Sequence, residues 1–273
     1  MLHFISLGSG SSGNCYLLSY QDDNDLFGRR STILIDAGIS LRKIRASLGM
    51  YGYKMDDVDA LLLTHDHSDH ACYAPKMAVK HGLPVFATEK TFEGIAHNPT
   101  IKPNVPQGSR FVIEPDKSFN VGVFSIVAYP VSHDSWDCVA YRIEVGGKVF
   151  ALITDCGELS PGLEGLIGEC SYLVVESNHD VGMLRRGRYP LFLKSRILGV
   201  RGHLSNAACG LALRRNLSDK IEWVCLCHLS GENNTAECAL GVVGGMVGSL
   251  LDGRLFVLPR EGVFVPPRVP SRE

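Results

Sequence analysis

No apolar run in this sequence approaches the roughly 20 residues needed to cross a bilayer, which excludes a spanning helix and any membrane partner of that kind. No charged segment precedes an apolar stretch at the N-terminus, so a secretory signal is not expected. Neither charge sign dominates: 27 Lys and Arg oppose 29 Asp and Glu, for a formal net charge of −2. Bulk attraction to nucleic acid is thereby excluded, and any such contact must be local. The nine cysteines are an odd number and never fall in C-x-x-C spacing. That argues against a disulfide framework and for a reducing compartment, so a cytoplasmic location is expected. Internal repeats and linker-like stretches are also lacking. What remains is a chain that is 45% hydrophobic, enough for a sizeable core in one domain over residues 1–265. The proline-bearing tail, 266–273, is expected to be disordered.

The informative segment is 64–70, Thr-His-Asp-His-Ser-Asp-His, directly after the apolar run 60–63. Packing has no use for three imidazoles in so short a space, whereas metal binding does. A buried strand ending at Leu63 delivers the following residues to a loop at the sheet edge. Side chains alternate along an extended segment, so His65 and His67 point the same way and can grip one ion. Asp69 and His70, a turn later, can reach a second. Imidazole with carboxylate suits Zn, Mn or Fe.

Three further apolar runs close on residues of ligand type. Residues 124–133 read as a strand ending in His133, 149–155 as one ending in Asp155, and 223–228 as one ending in His228. Each alone is an ordinary residue after a strand; with the first cluster they point to metal. The Cys225 and Cys227 pair lies inside an apolar run and reads as reduced core.

On these residues the chain resembles the metallo-β-lactamase superfamily, and within it the YycJ/WalJ group. The likeness extends to Ser6-Leu7-Gly8-Ser9-Gly10-Ser11-Ser12-Gly13-Asn14-Cys15, Val175-Glu176-Ser177-Asn178-His179-Asp180, Gly202-His203-Leu204-Ser205-Asn206, and His228-Leu229-Ser230 followed by Glu232-Asn233-Asn234-Thr235. Cys156 is a departure, since Thr is commoner there. The resemblance implies an α/β fold, a four-layered αββα sandwich. It implies two divalent metal ions, Zn or Mn, with His65, His67 and His133 on one and Asp69, His70 and His228 on the other. Asp155 would bridge them, and Asp69 would mark the two-metal branch. The implied activity is that of a binuclear phosphodiesterase using a metal-activated hydroxide, a double-stranded DNA 5′-to-3′ exonuclease, with DNA as substrate and no obligate protein partner. The stretch from Asp155 to His228 is too short for the inserted β-CASP-type domain of RNase J, so the plan is closer to RNase Z.

Three residues are candidates for catalysis: Asp69, His203 and Glu176. The Glu176 and His203 pair resembles the couple of RNase Z-like enzymes, in which a carboxylate orients an imidazole that protonates the leaving group. His203 otherwise reads as a residue leading into a helix capped by Ser205. Ser11 and Asn14, in the 8–14 turn, are candidate substrate donors if the first strand is central; otherwise the turn simply joins a hairpin. His179 is a substrate contact or a loop residue. Asp134 could orient its neighbouring ligand, while His3, His81 and His97 read as structural or surface residues. From 181 to 203 there are basic residues at Arg185, Arg186, Arg188, Lys194, Arg196 and Arg201 and no acidic one. That is either a solvated face or a phosphate-backbone contact. A small-molecule hydrolase of the same fold, acting on a thioester, lactone or cyclic phosphodiester, is the alternative. A non-catalytic binding module is less consistent with a full ligand set.

The remaining patterning predicts strands at 2–7, 15–19, 31–36, 83–87 and 172–176. It predicts helices at 41–48, 72–81, 161–167, 191–198 and 205–215.

Overall fold

The computed structural model describes residues 1–22 and 30–267. The first sheet contains β1 (Leu2–Gly8), β2 (Cys15–Tyr20), β3 (Ser31–Ile35), β4 (Ala60–Leu62), β5 (Val85–Ala87) and β6 (Arg110–Val112), in that order. The first three strands are antiparallel; β3 to β6 are parallel. The second sheet comprises β7 (Ser118–Val121), β8 (Phe124–Pro130), β9 (Val139–Val145), β10 (Lys148–Ile153), β11 (Tyr172–Glu176), β12 (Trp223–Cys227) and β13 (Leu255–Val257). Here β7 to β10 form antiparallel neighbours, and β10 to β13 run parallel.

Central strands are apolar at nearly every position because both faces of each sheet are covered. In β10, Phe150 and Leu152 face the space between the sheets, while Ala151 and Ile153 face outward. In β2, Tyr16 and Leu18 face inward and Leu17 outward. Three apolar layers result, and they make the αββα sandwich. Helices α1 (Leu41–Met50), α2 (Ser68–Ala71), α3 (Ala74–His81) and α4 (Glu89–His97) lie in the part of the chain that builds the first sheet, and Ile44, Met77 and Phe92 pack on its outer face. The rest are α5 (Pro161–Glu169), α6 (Val181–Arg186), α7 (Leu191–Ile197), α8 (Asn206–Asn216) and α9 (Ala236–Val247). Of these, α5, α8 and α9 cover the second sheet through Leu163, Cys209 and Val243. No described helix is long and apolar enough to cross a membrane. All nine cysteines are free, and Cys225 and Cys227 are buried in the core between the sheets.

Several boundaries differ from the sequence expectation. The predicted helix 72–81 starts two residues later, as α3, because Pro75 sits in its first turn, and a separate short helix, α2, precedes it within the histidine motif. Gly82, at φ 61, ends α3 in the left-handed conformation that glycine adopts without strain. Strands β8 and β10 stop at Pro130 and Ile153, so His133 and Asp155 stand on loops beyond them. The first strand is not central: β1 is an edge of its sheet, joined there to Phe264 by a single bridge with Ser6. Of the predicted tail, Pro266 and Pro267 border a cavity with Phe4 and Trp223; residues 268–273 lie outside the described residues.

Candidate metal centre

Beyond Leu63, whose N–H still donates to the Phe86 carbonyl, the chain leaves the sheet and enters the histidine motif. Thr64 gives its hydroxyl proton to Asp36 at 2.9 Å and so accepts from Nδ1 of His65 at 3.0 Å. Nε2 of His65 is then the free nitrogen, and it is buried with no hydrogen-bond partner. His133 donates from Nδ1 to the Gly202 carbonyl at 3.0 Å, which leaves its Nε2 3.4 Å from Nδ1 of His67. His70 gives Nδ1–H to Asp36 at 2.8 Å, leaving Nε2 3.1 Å from Oδ2 of Asp155. His228 gives Nδ1–H to Glu176 at 2.9 Å, and its Nε2 is again buried with no hydrogen-bond partner, 3.7 Å from Oδ2 of Asp69. In each case a partner behind the ring sets the tautomer and aims a lone pair inward.

The ligand atoms fall into overlapping groups, each with members within 4.8 Å of one another: His65 with His67 and His133, and Asp69 with His70 and His228. Asp155 stands between them, Oδ1 3.7 Å from His133 and Oδ2 3.1 Å from His70. All seven residues proposed from the sequence as ligands therefore converge at one end of the sandwich. Buried imidazole nitrogens without partners are costly in a folded protein. Two of them in a set of histidines and carboxylates fit a divalent cation well.

The charges agree with that geometry. Burial alone disfavours charge on Asp155, but His228 and His70 outweigh it and hold its carboxyl well below the ordinary range. Burial likewise opposes charge on His228; Asp155, Asp69 and Glu176 override it and lift the imidazole to about 10. Protons and divalent cations thus compete for one nitrogen, and metal affinity should weaken on acidification.

Strain marks the same loops. Asp36, Asp155 and His228, each just past a strand, take φ of 61°, 50° and 55°, a region few residues other than glycine adopt. The short helix α2, which carries Asp69 and His70, is stitched to its neighbours by Ala37 N–H to the His70 carbonyl at 2.6 Å and Asn14 N–H to the Asp69 carbonyl at 2.8 Å. This close approach requires Gly38, where an added Cβ would meet the Asp69 carbonyl oxygen at 1.7 Å. Gly38→Ala is expected to destabilise the fold by about 1–3 kcal/mol or more and to lower metal content. Thermal unfolding and metal stoichiometry read both; a fully loaded, equally stable variant would refute the coupling.

Behind the metal ligands, Glu176 is fully buried and uses both oxygens. Oε1 accepts from Nδ1 of His203 at 2.8 Å and of His228, while Oε2 accepts the N–H groups of Cys156 at 2.8 Å and Leu204 at 2.9 Å. Burial would raise its pKa, but His203 and His228 outweigh that and hold it at about 2. Conversely, burial works against charge on His203, and the Glu176 carboxylate overcomes it and raises His203 above its ordinary value. The His203 side chain remains 20% exposed and borders a cavity of about 170 Å³ together with Ser11, Tyr189 and Arg196.

Two expectations need correction. Asn14 and His179 are buried, at 0% and 1% exposure, and have no surface to offer a substrate. Asn14 instead ties the 8–14 turn to the metal loop, its Nδ2 reaching the Gly10 carbonyl at 3.1 Å and His70 at 2.9 Å. That turn reaches the site although β1 is an edge strand, because Ser9 Oγ also accepts the His228 N–H at 3.1 Å. His179 is pushed down to about 4 by burial and stays neutral. Its carbonyl accepts the Asn206 N–H that opens α8. Only Ser11 of the proposed substrate contacts is exposed. Asp134 lies 3.5 Å from His133 and pairs with the Arg196 guanidinium. Residues passed over include Asp36, Thr64, Gly38 and Asn178, whose Nδ2 donates to the His228 carbonyl at 2.8 Å. Asp36 had a legible signal, since it closes an apolar strand as Asp155 does.

Residues 31–216 match the family model described as a beta-lactamase superfamily domain. The chain belongs to that superfamily. Within it, "Exodeoxyribonuclease YycJ" of Bacillus anthracis is 35% identical over 238 residues, covering 87% of this chain and 86% of that one. "Exodeoxyribonuclease WalJ" of Streptococcus pneumoniae is 36% identical over 233 residues, covering 85% and 83%. The fold is shared with the metallo-β-lactamase fold protein YhfI of Bacillus subtilis, at a TM-score of 0.68 and 16% identity over 97% and 98% of the two chains. As a superfamily member of this YycJ/WalJ group, with its His/Asp cluster assembled, the chain is a metal-dependent hydrolase.

Proposed function

We propose that the protein is a binuclear phosphodiesterase acting as a double-stranded DNA 5′-to-3′ exonuclease. The observation that carries this is Asp155 lying between two three-residue ligand groups. His65, His67 and His133 would hold one ion, and Asp69, His70 and His228 the other. Bound there, Zn or Mn lowers the pKa of water and neutralises charge on a phosphoryl oxygen.

The chain's own contribution is proton supply and positioning. Glu176 accepts Nδ1–H of His203, so Nε2 of His203 is the atom from which the leaving alkoxide takes its proton. Asp69 is catalytic here as a metal ligand. Ser11, exposed beside His203, donates to a phosphate oxygen. DNA is supported by the names of the YycJ and WalJ relatives and by the exposed Arg185, Arg186 and Arg188 close to the cavity-lining Tyr189. Nine free cysteines fit a reducing compartment.

The test is digestion of 5′-labelled duplex with Mn²⁺ or Zn²⁺. Mononucleotide release is expected, falling steeply as salt rises. A protein that leaves duplex, single-stranded DNA and RNA intact with both metals, yet turns over a thioester, lactone or cyclic dinucleotide, is not a nuclease.

A further inference from the structure

Leu191 and Phe192 are 81% and 75% exposed, the two highest values among the large hydrophobic side chains of the described residues. They open α7, three of whose other residues face the site. Leu193 and Ile197 line the cavity that holds His203, and so does Arg196, which pairs with Asp134 beside ligand His133. Phe192 lies four residues before Arg196, on the same helix face and one turn further out. The next residue, Leu193, lines the cavity, so Phe192 and Leu191 stand just outside it, at the start of the helix. Solvent exposure of two large apolar groups at such a place marks a contact surface.

Charge identifies the occupant. Arg185, Arg186, Arg188 and Lys194 flank this apolar tip along the chain, with Lys194 Nζ donating to the Arg185 carbonyl at 2.8 Å, and residues 181–203 contain no acid. An apolar tip in a basic collar is complementary to one feature of a nucleic acid: the end of a duplex. There, phosphates lie outside and the flat faces of one base pair are bare. The cavity behind the tip, about 170 Å³, is smaller than the roughly 300 Å³ at which ligand pockets for drug-sized molecules begin. It has room for a phosphate and part of its sugar, so a strand must be parted from its partner before it enters.

We propose that Leu191 and Phe192 form a wedge that meets the terminal base pair of duplex DNA and parts it, delivering one strand to the metal centre. This rests on the exonuclease reading above. Apolar side chains inserted between base steps unstack them, and an aromatic ring replaces part of the lost stacking. Tyr189 borders both this cavity and a wider depression of about 650 Å³ with Ser11, Ser12 and Arg260. That depression gives the separated strand a route away from His203.

Phe192→Ala and the Leu191→Ala/Phe192→Ala pair are compared with wild type on a blunt duplex, on the same duplex with three mismatched terminal pairs, and on single-stranded DNA. Both side chains are exposed, so unchanged thermal unfolding is expected. Activity on the blunt end should fall about tenfold or more, with mismatched and single-stranded substrates cut nearly as before and Phe192→Trp retaining blunt-end activity. On a blunt duplex with cleavage-resistant phosphorothioate linkages, a terminal 2-aminopurine should brighten on binding metal-loaded wild type and not the pair variant. Equal losses on all three substrates, or no loss, would overturn the wedge while leaving the nuclease intact. It would also be overturned by a wild-type dimer, or by binding to anionic vesicles, that the pair variant abolishes. Wild type inert on every DNA removes the exonuclease reading itself, and the wedge with it.

Discussion

His67→Ala is expected to lose about one metal ion per chain and with it all measurable turnover. His67 is only half-buried, so its removal leaves the three apolar layers intact and takes away little besides a ligand. Its Nδ1 lies 3.4 Å from Nε2 of His133, both aimed at the point that the buried Nε2 of His65 also lacks a partner for. Two imidazoles cannot hold at that point what three hold. The loss should also appear as stability. Whatever binds the folded chain alone stabilises it, by about 2.7 kcal/mol at one hundred times its dissociation constant. Wild type and variant, both stripped by chelator, should therefore melt close together, and added Zn²⁺ or Mn²⁺ should raise wild type more. Metal content by mass spectrometry after chelator-free purification is the direct measure. A fully loaded, active His67→Ala protein would show that the ligand set is misassigned.

The second large effect separates proton supply from metal holding. His203→Ala should keep its metal and lose about 10²–10⁴ in kcat, the usual contribution of a positioned general acid. Glu176→Gln should do more. All four groups that approach Glu176 are donors: two imidazole N–H groups and the backbone N–H groups of Cys156 and Leu204. A glutamine NH₂ at the Oε2 position faces two backbone N–H donors, at a cost of about 1–3 kcal/mol, and at the Oε1 position it forces His203 and His228 into the other tautomer, with the proton on Nε2. Because the same carboxylate orients ligand His228, metal content should fall together with kcat. Paired measurement of kcat and bound metal on the two variants decides the matter. Wild-type kcat in His203→Ala removes the proton-donor role, and identical behaviour of the two variants removes the link from Glu176 to His228.

Legibility of the chain followed the chemistry of its residues. The doubly covered sheets were readable because burial on both faces demands apolar runs such as 60–63 and 223–227. The elements missed have physical explanations. Helix α4 contains Gly94, a poor helix former, which is needed because a Cβ there would lie 2.5 Å from the Asp66 carboxyl carbon. Helix α9 is apolar almost all round and rich in glycine, so its sequence shows no clear face; packing on α8 and β13 settles it.

The sequence by itself determined which side chains could bind metal, since histidines that close apolar runs stand out from any packing pattern. Only the tertiary structure decided how those side chains act. Tautomers depend on partners distant in the chain: Asp36 behind His70, Gly202 behind His133, Glu176 behind both His203 and His228. Exposure depends on them too, which is why Asn14 and His179 proved buried while Leu191 and Phe192 proved bare. Hydrogen bonding and burial are properties of neighbours in space, and a linear order of residues does not specify those neighbours.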